Sequence, residues 1–67
     1  MIRNESTLME CLCCGSLTIS EPRQWEICSV CGWEDDPIQA ANEDYSGGAN
    51  KLSLKQAREQ WRKKANL

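Results

Sequence analysis

Apolar and polar residues alternate along two short stretches, Leu17-Thr18-Ile19-Ser20 and Trp25-Glu26-Ile27, with Glu21-Pro22-Arg23-Gln24 between them. A period of two marks strands, and proline suits the second position of a turn. The pattern predicts strand, turn and strand, with Leu17, Ile19, Trp25 and Ile27 sharing one buried face. Residues 1–10 hold few apolar positions and read as a loose lead-in or an edge strand near Leu8. Near the C-terminus the period becomes helical. Ser53 is a good N-cap, Gln56 three residues later completes a capping box, and Leu52 can staple onto Ala57. Leu54, Ala57, Trp61 and Ala65 then share one face, flanked by Lys55, Arg58 and Arg62, so a helix over 53–65 is predicted. Pro37 opens a short helical turn through Asn42. Residues 43–50 read as a loop, with no pattern that argues for a second core.

Two cysteine knuckles frame the predicted ribbon: Cys11-Leu12-Cys13-Cys14-Gly15 and Cys28-Ser29-Val30-Cys31-Gly32. Cys11, Cys14, Cys28 and Cys31 read C-x2-C-x13-C-x2-C. Four thiolates at this spacing can surround one tetrahedral ion per chain, most often zinc, although iron accepts the same set. The glycine after each pair allows the tight turn that aims backbone N–H groups at the sulfurs. Cys13 is the odd thiol. It reads as a small side chain packed behind the site; the other readings are a substitute ligand, a redox sensor and a metal-transfer thiol. A disulfide framework fits poorly, because the chain has five cysteines and residues 1–10 offer no signal peptide or membrane span. A reducing, cytoplasmic setting is the expectation. A thioredoxin-like redox site would need a βαβ pattern that this chain cannot supply.

At 67 residues the chain is one domain that needs a staple. Metal can supply it, about 10–16 kcal/mol in zinc-finger peptides, so the metal-free chain is expected to be largely unfolded. The expected fold is a small α+β metal-stabilised domain, a zinc-ribbon or rubredoxin-like knuckle hairpin plus one C-terminal amphipathic helix. A metal-binding ribbon occupies 11–32, an acidic loop 33–52 and the helix 53–65.

Charge is divided along the chain. Residues 1–50 carry two basic and nine acidic side chains, −7, whereas 51–67 carry six basic and one acidic, +5. Such a chain is not a generally basic nucleic-acid binder. It has no histidine, and no nucleophile, base and oxyanion constellation, so an enzyme is not expected. Glu34, Asp35, Asp36, Glu43 and Asp44 lack the spacing of a calcium loop. They read either as a surface that docks a basic protein partner, with Trp33 as a further contact, or as glue to the chain's own Lys55, Arg58 and Arg62. Trp25, Trp33 and Trp61 read first as core. Lys55, Arg58, Arg62, Lys63 and Lys64 form the alternative face, for nucleic acid in a transcription-related ribbon.

The stretches CLCCG, WEICSVCGWEDDPIQ and DYSGGANKLSLKQARE, in that order, resemble the cysteine-rich CPCC family of small, mostly bacterial proteins. The resemblance spans roughly residues 9–62. Leu12 stands where the name-giving proline is expected and Ser29 where a proline is common; neither change removes a sulfur. The resemblance implies a metal-binding fold. Some chains of this kind accompany bacterial toxins, which implies an immunity protein: a stoichiometric binder whose Glu34, Asp35, Asp36 and Glu43 would meet a basic toxin such as a nuclease as a phosphate mimic.

Overall fold

Each cysteine knuckle is the tip of its own hairpin. In a computed structural model, which describes residues 8–65, β1 (Met9–Glu10) pairs antiparallel with β2 (Leu17–Ile19) across the first knuckle. A register shift lies between Met9 and Glu10. The second knuckle repeats the arrangement 17 residues later in the sequence. Ile27 bridges Glu34, the Trp25 N–H donates to the Asp35 carbonyl at 3.0 Å, and the Asp35 N–H to the Glu26 carbonyl at 2.9 Å. Most of the 1–10 lead-in, and the C-terminal pair 66–67, lie outside the described residues.

This corrects the predicted hairpin between 17–20 and 25–27. The knuckle itself reverses the chain within a few residues, so the nearest partners of each strand lie across the cysteines, where loop closure is cheap. The 21–24 segment connects the two hairpins instead. Arg23 and Trp25 sit in the left-handed region, at φ 65° and 59°, and interrupt regular extended backbone. Asp35 holds that connection: its carboxylate accepts from the Arg23 backbone N–H at 2.6 Å and from the Arg23 guanidinium at 2.8 Å. The expected apolar face is therefore not a core face. Ile19 is buried, but Leu17 is 57 % exposed, Trp25 48 % and Ile27 63 %.

The buried cluster is Cys11, Ile19, Cys28, Trp33 and Leu54, with Leu12, Cys13, Cys14, Cys31 and Ala57 packed against it. Leu54 belongs to α2 (Leu54–Ala65), which begins with the capping box that the sequence predicts. Ser53 Oγ accepts from the Gln56 N–H at 3.2 Å, and Gln56 Oε1 accepts from the Ser53 N–H at 3.0 Å. Leu54 is buried, Ala57 and Trp61 are half-buried, and Ala65 is exposed.

The segment read as an acidic loop is held by polar groups. α1 (Pro37–Ala41) starts on Asp36, whose carboxylate accepts from the N–H groups of Ile38, Gln39 and Ala49. The Ala49 bond above all, with the other two and against the opposing effect of burial, keeps Asp36 below the ordinary carboxylate range. Its stabilising contribution is complete above the ordinary carboxylate pKa and fades as acid titrates the folded group. Gln39 is 0 % exposed. Its amide donates to the carbonyls of Tyr45, Asn50 and Leu52 and accepts from the Asn50 backbone and side chain. The Asn50 amide also pairs with both the N–H and the carbonyl of Glu34, extending the second hairpin sideways. Gly48 passes so close that a Cβ there would lie 2.7 Å from the Asp36 carboxylate.

Gln39→Leu keeps most of the volume but strands three carbonyls and the Asn50 donors. We expect a loss of about 3 kcal/mol, against within about 0.5 kcal/mol for exposed Ile27→Ser. Urea unfolding of both variants at one fixed metal concentration checks this, and equal midpoints would refute the polar core.

Candidate metal centre

The two knuckles are nearly superimposable in their bonding. The Gly15 N–H donates to the Cys11 carbonyl at 2.8 Å, and the Gly32 N–H to the Cys28 carbonyl at 2.9 Å, both glycines at φ 84°. The Cys11 N–H donates to the Ser16 carbonyl as the Cys28 N–H does to that of Trp33. The Cys13 N–H points at Cys11 Sγ at 3.4 Å, as the Val30 N–H does at Cys28 Sγ at 3.3 Å. Identical local chemistry thus gives identical turns, and each turn presents two sulfurs on its inner side.

Together the turns bring the sulfurs of Cys11, Cys14, Cys28 and Cys31 within 4.8 Å of one another. Across the knuckles, Cys11 lies 3.6 Å from Cys31 and Cys14 3.7 Å from Cys28. A tetrahedral ion bound at 2.3 Å to each sulfur needs sulfurs about 3.8 Å apart. The four cysteines can therefore hold one metal ion with little rearrangement, and none is in a disulfide.

The sulfurs differ in how easily they ionise. Burial pushes the thiols of Cys11 and Cys31 up to about 12. Burial opposes ionisation of Cys28 too, but the Thr18 hydroxyl at 3.0 Å and the N–H groups of Cys31 and Val30 outweigh it and bring Cys28 down to about 6. One ready thiolate, Cys28, thus shares the cluster with Cys11 and Cys31, which keep their protons until a cation compensates the charge. Thr18 is a residue that the sequence reading missed. Its place on β2, on the side opposite Ile19, was the only signal.

A family model described as cysteine-rich CPCC matches residues 9–65. The chain belongs to that family. No curated protein matches it closely enough to add to this. In this CPCC chain the first cysteine of each knuckle is buried and the second half-buried. Leu12, at the proline position, is half-buried and packs against the core, and its carbonyl accepts from Arg58 Nε at 2.7 Å. Cys13 is half-buried beside the cluster, and burial raises its pKa.

The other residues singled out from the sequence scatter. Asp35 and Asp36 are 1 % and 3 % exposed, so neither presents its charge to a docking partner. Both carboxylates are held by backbone N–H groups, with the Arg23 guanidinium added at Asp35. Glu43 and Asp44 are exposed and face α2, Glu43 at 3.4 Å from Arg58 and Asp44 at 4.0 Å from Lys55. That is the internal pairing which the sequence left open. The Asp44 pair is open to water on both sides and adds little. Glu34 is half-buried, Trp33 is core, and Trp25, expected in the core, is not. On the basic face, Arg58 is committed to Leu12 and Glu43, whereas Lys55, Arg62, Lys63 and Lys64 are exposed. No described helix is long and apolar enough to cross a membrane.

Serine in place of Cys11, Cys14, Cys28 or Cys31 is expected to abolish stoichiometric metal and most of the helical circular dichroism, while Cys13→Ser keeps one ion per chain. Metal analysis of the five purified variants decides it; loss of metal in Cys13→Ser would put that thiol among the ligands.

Cys11 and Cys31 must each lose a proton when metal binds near neutral pH. Apparent affinity should therefore fall by about two decades per pH unit on acidification, from these two sulfurs alone. Competition with a chromophoric chelator at several pH values measures the slope, and a flat profile would contradict it.

Proposed function

We propose that this is a non-enzymatic module, held together by zinc, that binds another protein, and that the partner is a bacterial toxin domain which it neutralises as an immunity protein. Zinc suits four thiolates in a closed tetrahedral set that leaves no position for substrate. The observation that carries protein binding is the exposure of Leu17, Trp25 and Ile27. Met9, Val30, Ile38 and Tyr45 are exposed as well, but Trp25 and Ile27 stand two residues apart on the second hairpin, where one partner can cover both. Trp25 does so at a positive φ, a backbone conformation that the Asp35 bonds to Arg23 help to hold. Resemblance to small chains that accompany toxins supplies the partner class. With Asp35 and Asp36 turned inward, the contact rests on the apolar ribbon and on Glu34 rather than on an acidic loop acting as a phosphate mimic.

The test is a pull-down with the tagged, zinc-loaded chain from its host, with metal determined on the same sample. One polypeptide at equal stoichiometry is expected, with capture reduced more than about tenfold in Trp25→Ala/Ile27→Ser at unchanged metal content. Recovery of nucleic acid that disappears as salt rises would instead move the function to Lys55, Arg62, Lys63 and Lys64.

A further inference from the structure

A groove of about 400 Å³ lies beside the second knuckle, whose Cys31 and Gly32 line it together with Cys13. Ala57, Trp61 and Lys64 of α2 line it. Their spacing of four and three places them along one side of two helical turns. That is about 10 Å of helix, the reach of three residues of extended chain.

Trp33 lines the same groove from the second hairpin. It is 4 % exposed, and its Nε1–H meets no acceptor among the described residues. Buried donors are nearly always satisfied, and the indole N–H of a buried tryptophan usually has a partner. The nitrogen itself has essentially no surface open to solvent, so Trp33 offers the groove apolar ring surface rather than a reachable donor. The charge on the lining is also distinctive. Lys51 and Lys64, both from the basic segment 51–67, stand there against one carboxylate, Glu34.

We propose that this groove docks an extended peptide segment of a partner protein in which a large apolar side chain sits next to a carboxylate. The apolar side chain packs on Trp61 and Trp33, and the carboxylate meets Lys51 and Lys64. The proposal rests on the protein-binding reading and adds a surface distinct from Trp25 and Ile27.

The experiment is selection of a displayed random heptapeptide library on the zinc-loaded full chain, followed by titration of the best synthetic peptide against variants of verified metal content. Sequences pairing an aromatic or leucine with an acidic neighbour are expected. Affinity should fall at least about tenfold in Lys51→Glu/Lys64→Glu. Peptides without acidic residues, no enrichment, or binding untouched by the lysine reversal would each overturn the groove. Peptide binding lost only in Trp25→Ala/Ile27→Ser would overturn it while leaving the protein-binding reading intact; a host pull-down that recovers no protein would remove that reading itself.

Discussion

The mutual approach of four sulfurs within 4.8 Å is the constraint on which the rest of this chain depends. A small domain normally assembles its centre from leucine, isoleucine and valine. Here two of the five buried apolar residues among those described are cysteines, and three more cysteines pack against them. Placing two sulfurs from one turn requires a reversal of the chain within five residues, and a glycine at positive φ closes it. Doing so twice forces each strand to pair across its own knuckle, so the hairpins follow from the sulfurs rather than the reverse. Ile19, Trp33 and Leu54 complete the buried layer, one from each hairpin and one from α2.

A second centre, made of amides, fixes what the sulfurs do not reach. Gln39 and Asn50 take over backbone groups of 34, 45, 50 and 52 that have no sheet or helix to satisfy them. Asp36 does the same for 38, 39 and 49. Buried polar groups of this kind are tolerable only when every bond is made, and so they specify one path for the loop. The loop then delivers Leu52 and Ser53 to the start of α2, and the Glu43 carbonyl accepts from the Lys55 N–H at 3.0 Å. Position and orientation of the helix are thereby tied to the second knuckle, while Arg58 ties it to the first.

What could be read from the sequence was what is encoded locally. The knuckles, their glycines, the capping box and the proline-led turn are each complete within five or six residues, and each appears in the structure as its spacing demands. The hairpin was misread because alternation identifies a strand and not its partner; the choice of partner depends on which turn closes first. Trp25 was misread because nothing in Trp-Glu-Ile announces a left-handed backbone, which depends on Asp35 ten residues away. Gln39 gave no signal at all: its partners are mostly main-chain groups, which every sequence has. The acidic cluster looked like one surface because its members are neighbours in sequence. The fold turns Asp35 and Asp36 inward and Glu43 and Asp44 toward the helix.

The two centres also bear on why apolar side chains can be spared for the outside. In a metal-free domain of this length, Leu17, Trp25 and Ile27 would be needed in the core, since burial of each contributes about 1.5–3 kcal/mol or more. An ion held by the four thiolates, at about 10–16 kcal/mol in zinc-finger peptides, would exceed the roughly 4.5–9 kcal/mol of the three together. Stability then depends on sulfurs and amides that are largely hidden, and the exposed positions are released from a folding role. Substitution at such positions changes the surface without unfolding the chain. A scaffold of that kind can present different contact residues on one fixed frame, which is compatible with the protein-binding role proposed above.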